Sequence, residues 1–254
     1  LVCGVDDLTY DNSLKSKYPF LEYKESIFSP STGIFDSHSF IHSLSRDFQS
    51  QGGNIFLGNE TININHSNEG FEVLVEDKNN DTQFVVIANV LVNSAGLNAV
   101  HIANLINEDN VYQEEYVKGE YYIYQGKEKL EHLIYPTPTE NSLGLHATID
   151  LGEGIRFGPS AYVVEEIDYS LSIEHKSQFL KAVQSYWPGI EEEDLTPGYS
   201  GIRPKLKGVS DFVVDSGTVN NNQYVNVLGY ASPGLTSSLA LAIEVSNRIE
   251  SDLS

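Results

Sequence analysis

The spacing of hydrophobic positions predicts one early amphipathic helix. Four large apolar residues recur at helical intervals: Phe40, Ile41, Leu44 and Phe48. Asp36 precedes this run and suits the N-cap position, and Gly52-Gly53 follows it. We therefore expect a helix that starts after Asp36 and ends at the glycine pair. The first 28 residues are polar and acidic, and their pattern favours an irregular segment with one short helix.

Most of the remaining chain reads as strands. Short apolar or alternating runs, separated by turns rich in Asn, Gly and Pro, are typical of strands. These runs begin at Ile55, Thr61, Phe71, Phe84, Val90, Glu120, His132, Leu143, Ala161, Asp211 and Tyr224. The strand at Ile55 is expected to continue a βαβ-type sheet, and the next ones to form a small antiparallel sheet. A second helix is predicted near 176–187.

The run that begins at Val90 predicts a buried parallel strand with a helix starting at Leu97. Small residues end this strand: Ser94, Ala95 and Gly96. Such residues at the carboxyl end of a strand let a cofactor approach the backbone, which is where open α/β sheets place ligands. Tight packing of helix against strand needs the same residues.

A strand, a turn and a helix are predicted near the C-terminus. The turn is Ser232-Pro-Gly-Leu-Thr, and the helix after it should pack along most of its surface. A hydroxyl of Thr236, Ser237 or Ser238 is expected to cap this helix. Backbone N–H groups at a helix start suit an anionic or electron-rich ligand. An ordinary strand-to-helix connection has the same pattern.

Charge narrows the choice of partners. The chain has 36 acidic and 15 basic residues, and its net charge is −21. This balance argues against a nucleic-acid or anionic-membrane surface. An anionic substrate would need locally focused positive charge, so each cation in a pocket is conspicuous. The arginines are Arg46, Arg156, Arg203 and Arg248.

Other features limit the class of protein. The single cysteine, Cys3, excludes an internal disulfide framework and fits a reducing compartment. Apolar runs are too short for a transmembrane helix, and a signal-peptide pattern is not present. His38 and His42 lie one helical turn apart without a third ligand nearby, so we expect no metal site. The chain starts at Leu1 and has no methionine, which suggests an incomplete reading frame.

Eight short motifs point to a family. They are Ser29-Pro-Ser-Thr-Gly-Ile-Phe-Asp-Ser-His, Val92-Asn-Ser-Ala-Gly-Leu, Leu133-Ile-Tyr-Pro, Leu143-Gly-Leu-His, Arg156-Phe-Gly-Pro, Tyr186-Trp-Pro-Gly, Gly198-Tyr-Ser-Gly-Ile-Arg-Pro-Lys and the turn Ser232-Pro-Gly-Leu-Thr. In this order the motifs resemble the FAD-dependent D-amino-acid oxidase superfamily, above all its L-2-hydroxyglutarate dehydrogenase/oxidase branch. The resemblance covers nearly the whole chain.

The resemblance implies an α/β (α+β) fold. We expect a discontinuous FAD-binding domain, Rossmann-like, at 1–115 and 198–254, and an inserted, mainly antiparallel substrate-binding sheet at 116–197. Members of the family open with a G-x-G-x-x-G turn for the FAD pyrophosphate. The 254 residues contain no such turn. Roughly the first third of a family member, with its first βαβ unit, is therefore expected to be missing.

The resemblance also implies a reaction and its residues. An FAD-dependent oxidoreductase of this branch oxidises L-2-hydroxyglutarate to 2-oxoglutarate, with hydride transfer to the flavin. Arg203 would bind the substrate carboxylate through its planar fork or form a structural ion pair with an acidic residue. Lys205 would complement the second carboxylate or stay solvated. His146 would accept the hydroxyl proton or simply form a hydrogen bond within the sheet. Tyr135 would donate a hydrogen bond to the substrate or pack.

For FAD, the expected contacts are Thr61, Ser94, Ala95, Gly96, Gly229, Ser232, Pro233, Gly234, Leu235 and Thr236. Thr61 would touch the cofactor through its backbone, or simply lie in an edge strand. One alternative is a glycine- or sarcosine-type amine oxidase of the same superfamily. Another is a catalytically silent fragment that binds a carboxylate ligand or a partner.

The sequence leaves the electron acceptor and the cellular location open. The electron acceptor would be a quinone, oxygen or another flavoprotein. The expected location is intracellular: cytoplasmic or at the membrane face in a bacterium, mitochondrial in a eukaryote.

Overall fold

The computed structural model describes residues 7–11, 13–107, 109, 111–137 and 144–251. They form two compact units. Unit 1 comprises Leu1–Arg46, Lys118–Tyr162 and Asp168–Gly201, and unit 2 comprises Asp47–Val117, Val163–Ile167 and Ile202–Ser254. Cys3 and the start of the predicted strand at Leu143 lie outside the described residues.

Five helices and thirteen strands are described. The helices are α1 (Leu14–Lys17), α2 (Ser37–Ser50), α3 (Ala99–Ile106), α4 (Lys176–Gln184) and α5 (Gly234–Ser251). The strands are β1 (Thr9–Tyr10), β2 (Ile27–Phe28), β3 (Asn59–His66), β4 (Phe71–Asp77), β5 (Thr82–Ala88), β6 (Val90–Asn93), β7 (Glu114–Tyr124), β8 (His146–Ile149), β9 (Ile155–Gly158), β10 (Tyr162–Val164), β11 (Leu195–Leu206), β12 (Val213–Val219) and β13 (Asn222–Leu228).

The main sheet of unit 1 has the order β10-β7-β9-β8, and β11 pairs with β7. Alternation along each strand sends one set of side chains into an apolar core. Trp187, Tyr122 and Phe157 are at most 1% exposed and lie at the centre of this core. Phe179 and Val183, on one face of α4, pack against the same core. One face of the sheet is therefore closed by helix and core.

Unit 2 contains two small sheets. In the first, the order is β12-β13-β6, with β6 parallel to β13. In the second, β3, β4 and β5 form an antiparallel meander. Helix α3 packs against β13 and β3 and buries Ala103 and Ile106 completely. The mixture of helices with mostly antiparallel strands agrees with the predicted α/β (α+β) class.

Several local predictions are confirmed. Asp36 caps α2, because its Oδ1 accepts a hydrogen bond from the Ser39 N–H at 3.0 Å, and Gly52 follows the helix with a φ of +90°. The short helix in the N-terminal segment is α1. The predicted parallel strand is β6, although Val92 is 42% exposed.

Other local predictions are wrong. Ile55, Phe56 and Leu57 do not form a strand, and the first strand after α2 is β3, which pairs antiparallel with β4. Helix α5 packs one face on β13, whereas Leu239 and Ile243 on its other side are 55% and 64% exposed. A helix with alanine and leucine on every side is expected to be buried, but each side is buried only where another element packs against it.

The predicted cap of α5 is also wrong. The helix starts at Gly234, ahead of the three hydroxyls. The hydroxyls of Thr236, Ser237 and Ser238 donate to carbonyl groups of the preceding turn and accept no backbone N–H. They point back along the helix as serine and threonine do inside a first turn.

Candidate functional site

The second face of the unit 1 sheet is open and carries polar and aromatic side chains. Leu145 and Ala147 of the β8 segment are buried, whereas His146 and Thr148 point to the opposite side, as the alternation predicts. His146 is paired with Gly158 across β8 and β9, and Thr148 is paired with Arg156. These four residues therefore share the open face.

His146 and Tyr135 are brought together on this face. The centres of their rings are 4.0 Å apart, in a tilted arrangement. Ile134 forms a bridge with Ala147, and this bridge fixes Tyr135 beside β8. Tyr135 is 55% exposed. Its ring packs against His146, and its partial exposure leaves room for contact with a ligand.

Two further aromatic rings continue this face. Tyr121 and Tyr199 stack with ring centres 4.7 Å apart. A Cβ at Gly158 would lie 2.5 Å from the Tyr121 ring, so the ring lies directly over the glycine. The open face therefore carries rings contributed by neighbouring strands.

Arg156 is a cation on this open face. Its Nη2 donates to Asp150 Oδ2 at 2.7 Å, and its guanidinium carbon lies 5.5 Å from the centre of the Tyr199 ring. Asp150 also accepts the backbone N–H groups of Gly152 and Gly154 in the β8–β9 turn. The hydrogen bond from Gly154, with the others and the arginine charge, keeps the pKa of Asp150 below its usual value.

The core side of β7 carries a polar cluster that the sequence analysis missed. Lys118 is 4% exposed and pairs with Asp168 at 3.2 Å. Glu120 is fully buried and accepts hydrogen bonds from the Ser172 N–H at 3.0 Å and from His175 Nδ1 at 2.9 Å. The sequence did contain a signal for this cluster, because Lys118 and Glu120 stand at alternate positions of a strand that is otherwise rich in tyrosine and valine.

These contacts decide the ionisation of Glu120. Burial acts to raise its pKa, but hydrogen bonds from Ser172, His175 and Tyr162 outweigh burial and leave the pKa below its usual value. Burial, together with the hydrogen bond to Glu120, raises the pKa of Tyr162. The cluster fastens the segment after β10 to the sheet, and no step of the proposed chemistry uses it.

In unit 2, β11 presents two cations on one side. Leu206 is buried in the core with Leu228, so alternation places Arg203 and Lys205 on the opposite side of the strand. Both residues are half-buried. Within the described part of the chain, neither side chain has a hydrogen-bond or ion-pair partner.

Two turns of unit 2 lie at one edge of a sheet. Strands β6 and β13 are parallel, with Asn93 opposite Asn226, so the segments that follow them leave from the same edge. One segment contains Ser94, Ala95 and Gly96, and the other contains Gly229, Ser232, Pro233, Gly234, Leu235 and Thr236. The structure thus brings these predicted cofactor contacts to a common edge. Thr61 lies in the other sheet, opposite Val75 in β4.

A buried polar row supports this edge. Asn93 Nδ2 donates to the Ala99 carbonyl at 2.7 Å and to Asn226 Oδ1 at 2.9 Å. Asn226 Nδ2 in turn donates to Asp215 Oδ2 at 3.3 Å. Sequence reasoning missed Asn93, although an asparagine within a strand of valines and leucine is a signal of a fixed polar role.

The edge has features that fit a cofactor with phosphate groups. Gly96 has a φ of +59°, and a Cβ there would meet nothing within 4 Å, so the backbone is open to close approach. At the start of α5, the backbone N–H groups of Leu235 and Thr236 have no acceptor among the described residues. Unpaired N–H groups at a helix start favour an anion.

The described residues were compared with two other kinds of site, a metal site and a membrane span. Among the described residues, no group of three or more His, Cys, Asp or Glu side chains is arranged to hold a metal. No helix in the described ranges is long and apolar enough to cross a membrane. A depression of about 560 Å³ in unit 2 is lined by Asn63–His66, Asn104–Asn107 and Val219, and it contains none of the predicted site residues.

Comparison with known proteins is consistent with this geometry. The model of the FAD dependent oxidoreductase family (DAO) matches residues 4–248. A mitochondrial L-2-hydroxyglutarate dehydrogenase of Arabidopsis thaliana is 33% identical over 276 aligned residues, which cover 91% of this chain and 57% of the plant protein. The chain thus spans little more than half the length of this relative.

Solved structures show the same fold at low sequence identity. L-α-glycerophosphate oxidase of Mycoplasma pneumoniae, solved with FAD bound, superposes with a TM-score of 0.77 at 18% identity, covering 95% of this chain and 64% of that one. Glycine oxidase of Bacillus cereus gives a TM-score of 0.75 at 14% identity, covering 98% and 66%.

Proposed function

The chain belongs to the FAD dependent oxidoreductase family, and on this premise we propose that it oxidises L-2-hydroxyglutarate to 2-oxoglutarate. The substrate would lose a hydride from C2 and a proton from the C2 hydroxyl. Bound FAD would supply the two-electron acceptor for the hydride, and a base of this chain would take the proton. A relative that covers most of this chain carries the name of this activity. One fold can host several activities, so the assignment of this activity depends on the residues of the site.

The observation that carries the proposal is the unpaired Arg203. A half-buried guanidinium without a partner among the described residues is unusual in a chain with a net charge of −21. Burying a cation is unfavourable unless an anion pairs with it. A substrate carboxylate would supply that anion and accept two parallel hydrogen bonds from the fork.

Lys205 extends the positive charge along the same side of β11. It too has no ion-pair partner in the described ranges. The Cα atoms of residues two apart on a strand are about 7 Å apart, since a strand rises roughly 3.3 Å per residue. The resemblance gives Lys205 either a second carboxylate or a solvated position, and we propose that its charge attracts the dianionic substrate to this side of β11.

In unit 1, His146 is proposed as the general base. A neutral imidazole has a suitable proton affinity near neutral pH for removal of a proton from the C2 hydroxyl. Tyr135, with its ring 4.0 Å from the imidazole, would hold the histidine ring in orientation and donate to a substrate oxygen. Oxidation of the alcohol then leaves the proton at His146 and the carbonyl at C2.

The cofactor contacts are proposed at the edge formed by β6 and β13. Ser94, Ala95 and Gly96 offer small side chains, and Leu235 and Thr236 offer unpaired N–H groups. Thr61 is proposed as a backbone contact of FAD. The corresponding domain roles, FAD binding for 1–115 with 198–254 and substrate binding for 116–197, are part of the same proposal.

The electron acceptor that reoxidises the flavin is proposed to be a quinone, oxygen or another flavoprotein. We propose a cytoplasmic or membrane-peripheral location in a bacterium, or a mitochondrial one in a eukaryote. Stopped-flow reoxidation of the reduced protein by oxygen and by a soluble quinone separates the first two acceptors.

Anaerobic reduction of the FAD-supplemented protein by L-2-hydroxyglutarate tests the residue assignments. We expect His146→Gln to lower the reduction rate and to abolish the acidic limb of its pH profile, because the base is gone. Lys205→Gln should raise the substrate concentration needed for half-maximal rate. Lys17→Gln removes a surface cation paired with Glu131 at 2.7 Å and serves as the matched charge control. An unchanged pH profile in His146→Gln would contradict the role of His146.

A further inference from the structure

Arg156 lies on the open face of the unit 1 sheet, and neither the proposed cofactor contacts nor the proposed base uses it. Its side chain is 35% exposed. A guanidinium has five N–H donors. In the described structure, Asp150 takes the Nη2 edge, and the Tyr199 ring lies against the guanidinium without accepting a conventional hydrogen bond. Donors therefore remain for an anion.

The ion pair with Asp150 fixes the arginine in place. Asp150 accepts hydrogen bonds from the Gly152 and Gly154 N–H groups at 2.8 and 2.9 Å as well as from Arg156 at 2.7 Å. The carboxylate is therefore anchored by the turn itself. Together with the Tyr199 ring, it holds the guanidinium in one orientation, which lowers the entropic cost of binding an anion.

The distance from Arg156 to His146 suits a diacid. His146 is opposite Gly158, and Arg156 lies two residues before Gly158 in β9, so the two are diagonal neighbours on one face. The Cα atoms of diagonal neighbours in a sheet are about 7–8 Å apart, and both side chains leave the sheet on the same face. The C2 hydroxyl and the C5 carboxyl of a five-carbon 2-hydroxy diacid are roughly 5 Å apart when extended, from bonds of about 1.5 Å. Hydrogen bonds at the two ends add the remaining length.

We propose that Arg156 binds the distal carboxylate of a 2-hydroxy dicarboxylic acid and so selects diacids over monoacids. The inference rests on the proposed function, because it places the C2 hydroxyl at His146. It gives Arg156 the contact with the distal carboxylate, which the resemblance offered to Lys205 as one of two alternatives. A monocarboxylic substrate would leave Arg156 paired with Asp150 alone and would gain nothing from it.

Ligand binding to the ¹⁵N-labelled chain tests the proposal without turnover. Glutarate and butyrate are titrated separately, and the Arg156 Nε–H resonance is followed by NMR. Glutarate should shift this resonance in a saturable manner, and butyrate should not. Arg156→Gln should weaken glutarate binding by roughly tenfold or more, the size expected for a hydrogen bond to a charged group, and leave butyrate unaffected.

Asp150→Asn separates binding from a purely structural role. The asparagine Oδ1 can still accept from Gly152 and Gly154, while the charge that pairs with Arg156 is removed. Because Arg156 remains, we expect this variant to keep the preference for glutarate. Equal losses in Asp150→Asn and Arg156→Gln would mean that the ion pair only stabilises the turn, and would overturn the proposal. Lys17→Gln should match the wild type.

Three other results would overturn the inference. In the first, glutarate does not shift the Arg156 Nε–H resonance. In the second, the wild type and Arg156→Gln bind glutarate with equal affinity. In the third, Lys205→Gln loses the preference for glutarate while Arg156→Gln binds it normally. Failure of the proposed function looks different: L-2-hydroxyglutarate would not reduce the flavin of the wild-type protein, whatever the glutarate titrations show. If only Arg156 is misassigned, Arg156→Gln would still oxidise L-2-hydroxyglutarate at unchanged substrate affinity.

Discussion

Both units expose a broad surface, but the two surfaces differ in chemistry. The open sheet face of unit 1 carries Tyr135, His146, Arg156 and Tyr199. In unit 2 the exposed large apolar residues lie close together along single elements, among them Phe84 to Ile87 along β5 and Leu239 and Ile243 on α5. A ligand site combines apolar surface with a few convergent polar groups, whereas a purely apolar patch is typical of packing. Exposure alone therefore does not identify a site.

The largest expected difference between the units is in stability. Trp187 is 1% exposed and stacks on Phe20 at 4.5 Å, so Trp187→Ala should cost about 3–5 kcal/mol of unfolding free energy. Ile243 is 64% exposed, so Ile243→Ser should change stability by no more than about 0.5 kcal/mol. Urea unfolding measures both. A large loss in Ile243→Ser would mean that the apolar side of α5 is covered in solution.

Arg203→Lys tests the proposed contact between Arg203, on β11 in unit 2, and the substrate carboxylate. Lysine keeps the charge but loses the second parallel hydrogen bond to a carboxylate. We expect kcat/KM for L-2-hydroxyglutarate to fall roughly ten- to hundredfold, the equivalent of one hydrogen bond to a charged group. Steady-state kinetics of the FAD-supplemented protein provide the measurement. A kcat/KM within twofold of the wild type would remove Arg203 from the carboxylate site.

Two glycines of unit 1 form a matched pair. A Cβ at Gly158 would lie 2.5 Å from the Tyr121 ring and 2.8 Å from the Glu120 carbonyl, whereas a Cβ at Gly189 would meet nothing within 4 Å. We expect Gly158→Ala to cost about 1–3 kcal/mol, through overpacking and because L side chains rarely adopt its φ of +150°. Gly189→Ala should be nearly neutral. Thermal unfolding of the two variants compares them, and equal melting temperatures would contradict the close approach of Tyr121 to β9.

The smallest predicted effect is on the pH dependence of stability at acidic pH. The pKa of Glu120 is lower in the folded protein than its ordinary value of 4.5. The stabilisation from its ionised form is therefore fully present above about pH 4.5 and is lost as the pH falls through the lower folded pKa. Glu120→Gln should flatten the pH dependence of the melting temperature below that pH. An unaltered dependence would show that Glu120 does not contribute to acid sensitivity.

The sequence predicted elements whose signals are local. Helix α2, its Asp36 cap and the alternation around His146 all depend on neighbouring residues, and the structure agrees. The segments that follow β6 and β13 could each be proposed as cofactor contacts, because small residues end one strand and a Pro-Gly turn follows the other. These features needed no knowledge of tertiary contacts.

Features that depend on distant partners were missed. The burial of Glu120 requires His175, 55 residues away, and Asn93 meets Asn226, 133 residues away. The strand predicted at Ile55 and the full packing of α5 failed because apolar composition indicates a capacity for burial, and the described residues provide no opposing surface. Which strands pair, and which face of a helix is buried, depends on residues that are distant in the sequence.

Flavin reduction by competing substrates tests the central claim most directly. The FAD-supplemented protein is mixed anaerobically with L-2-hydroxyglutarate, glycine or sarcosine, and the visible absorbance of the flavin is followed while 2-oxoglutarate is quantified. We expect L-2-hydroxyglutarate alone to bleach the flavin, with one 2-oxoglutarate formed per flavin reduced. Bleaching by an amine but not by the hydroxy acid, or binding of FAD without reduction by any of the three, would contradict the account.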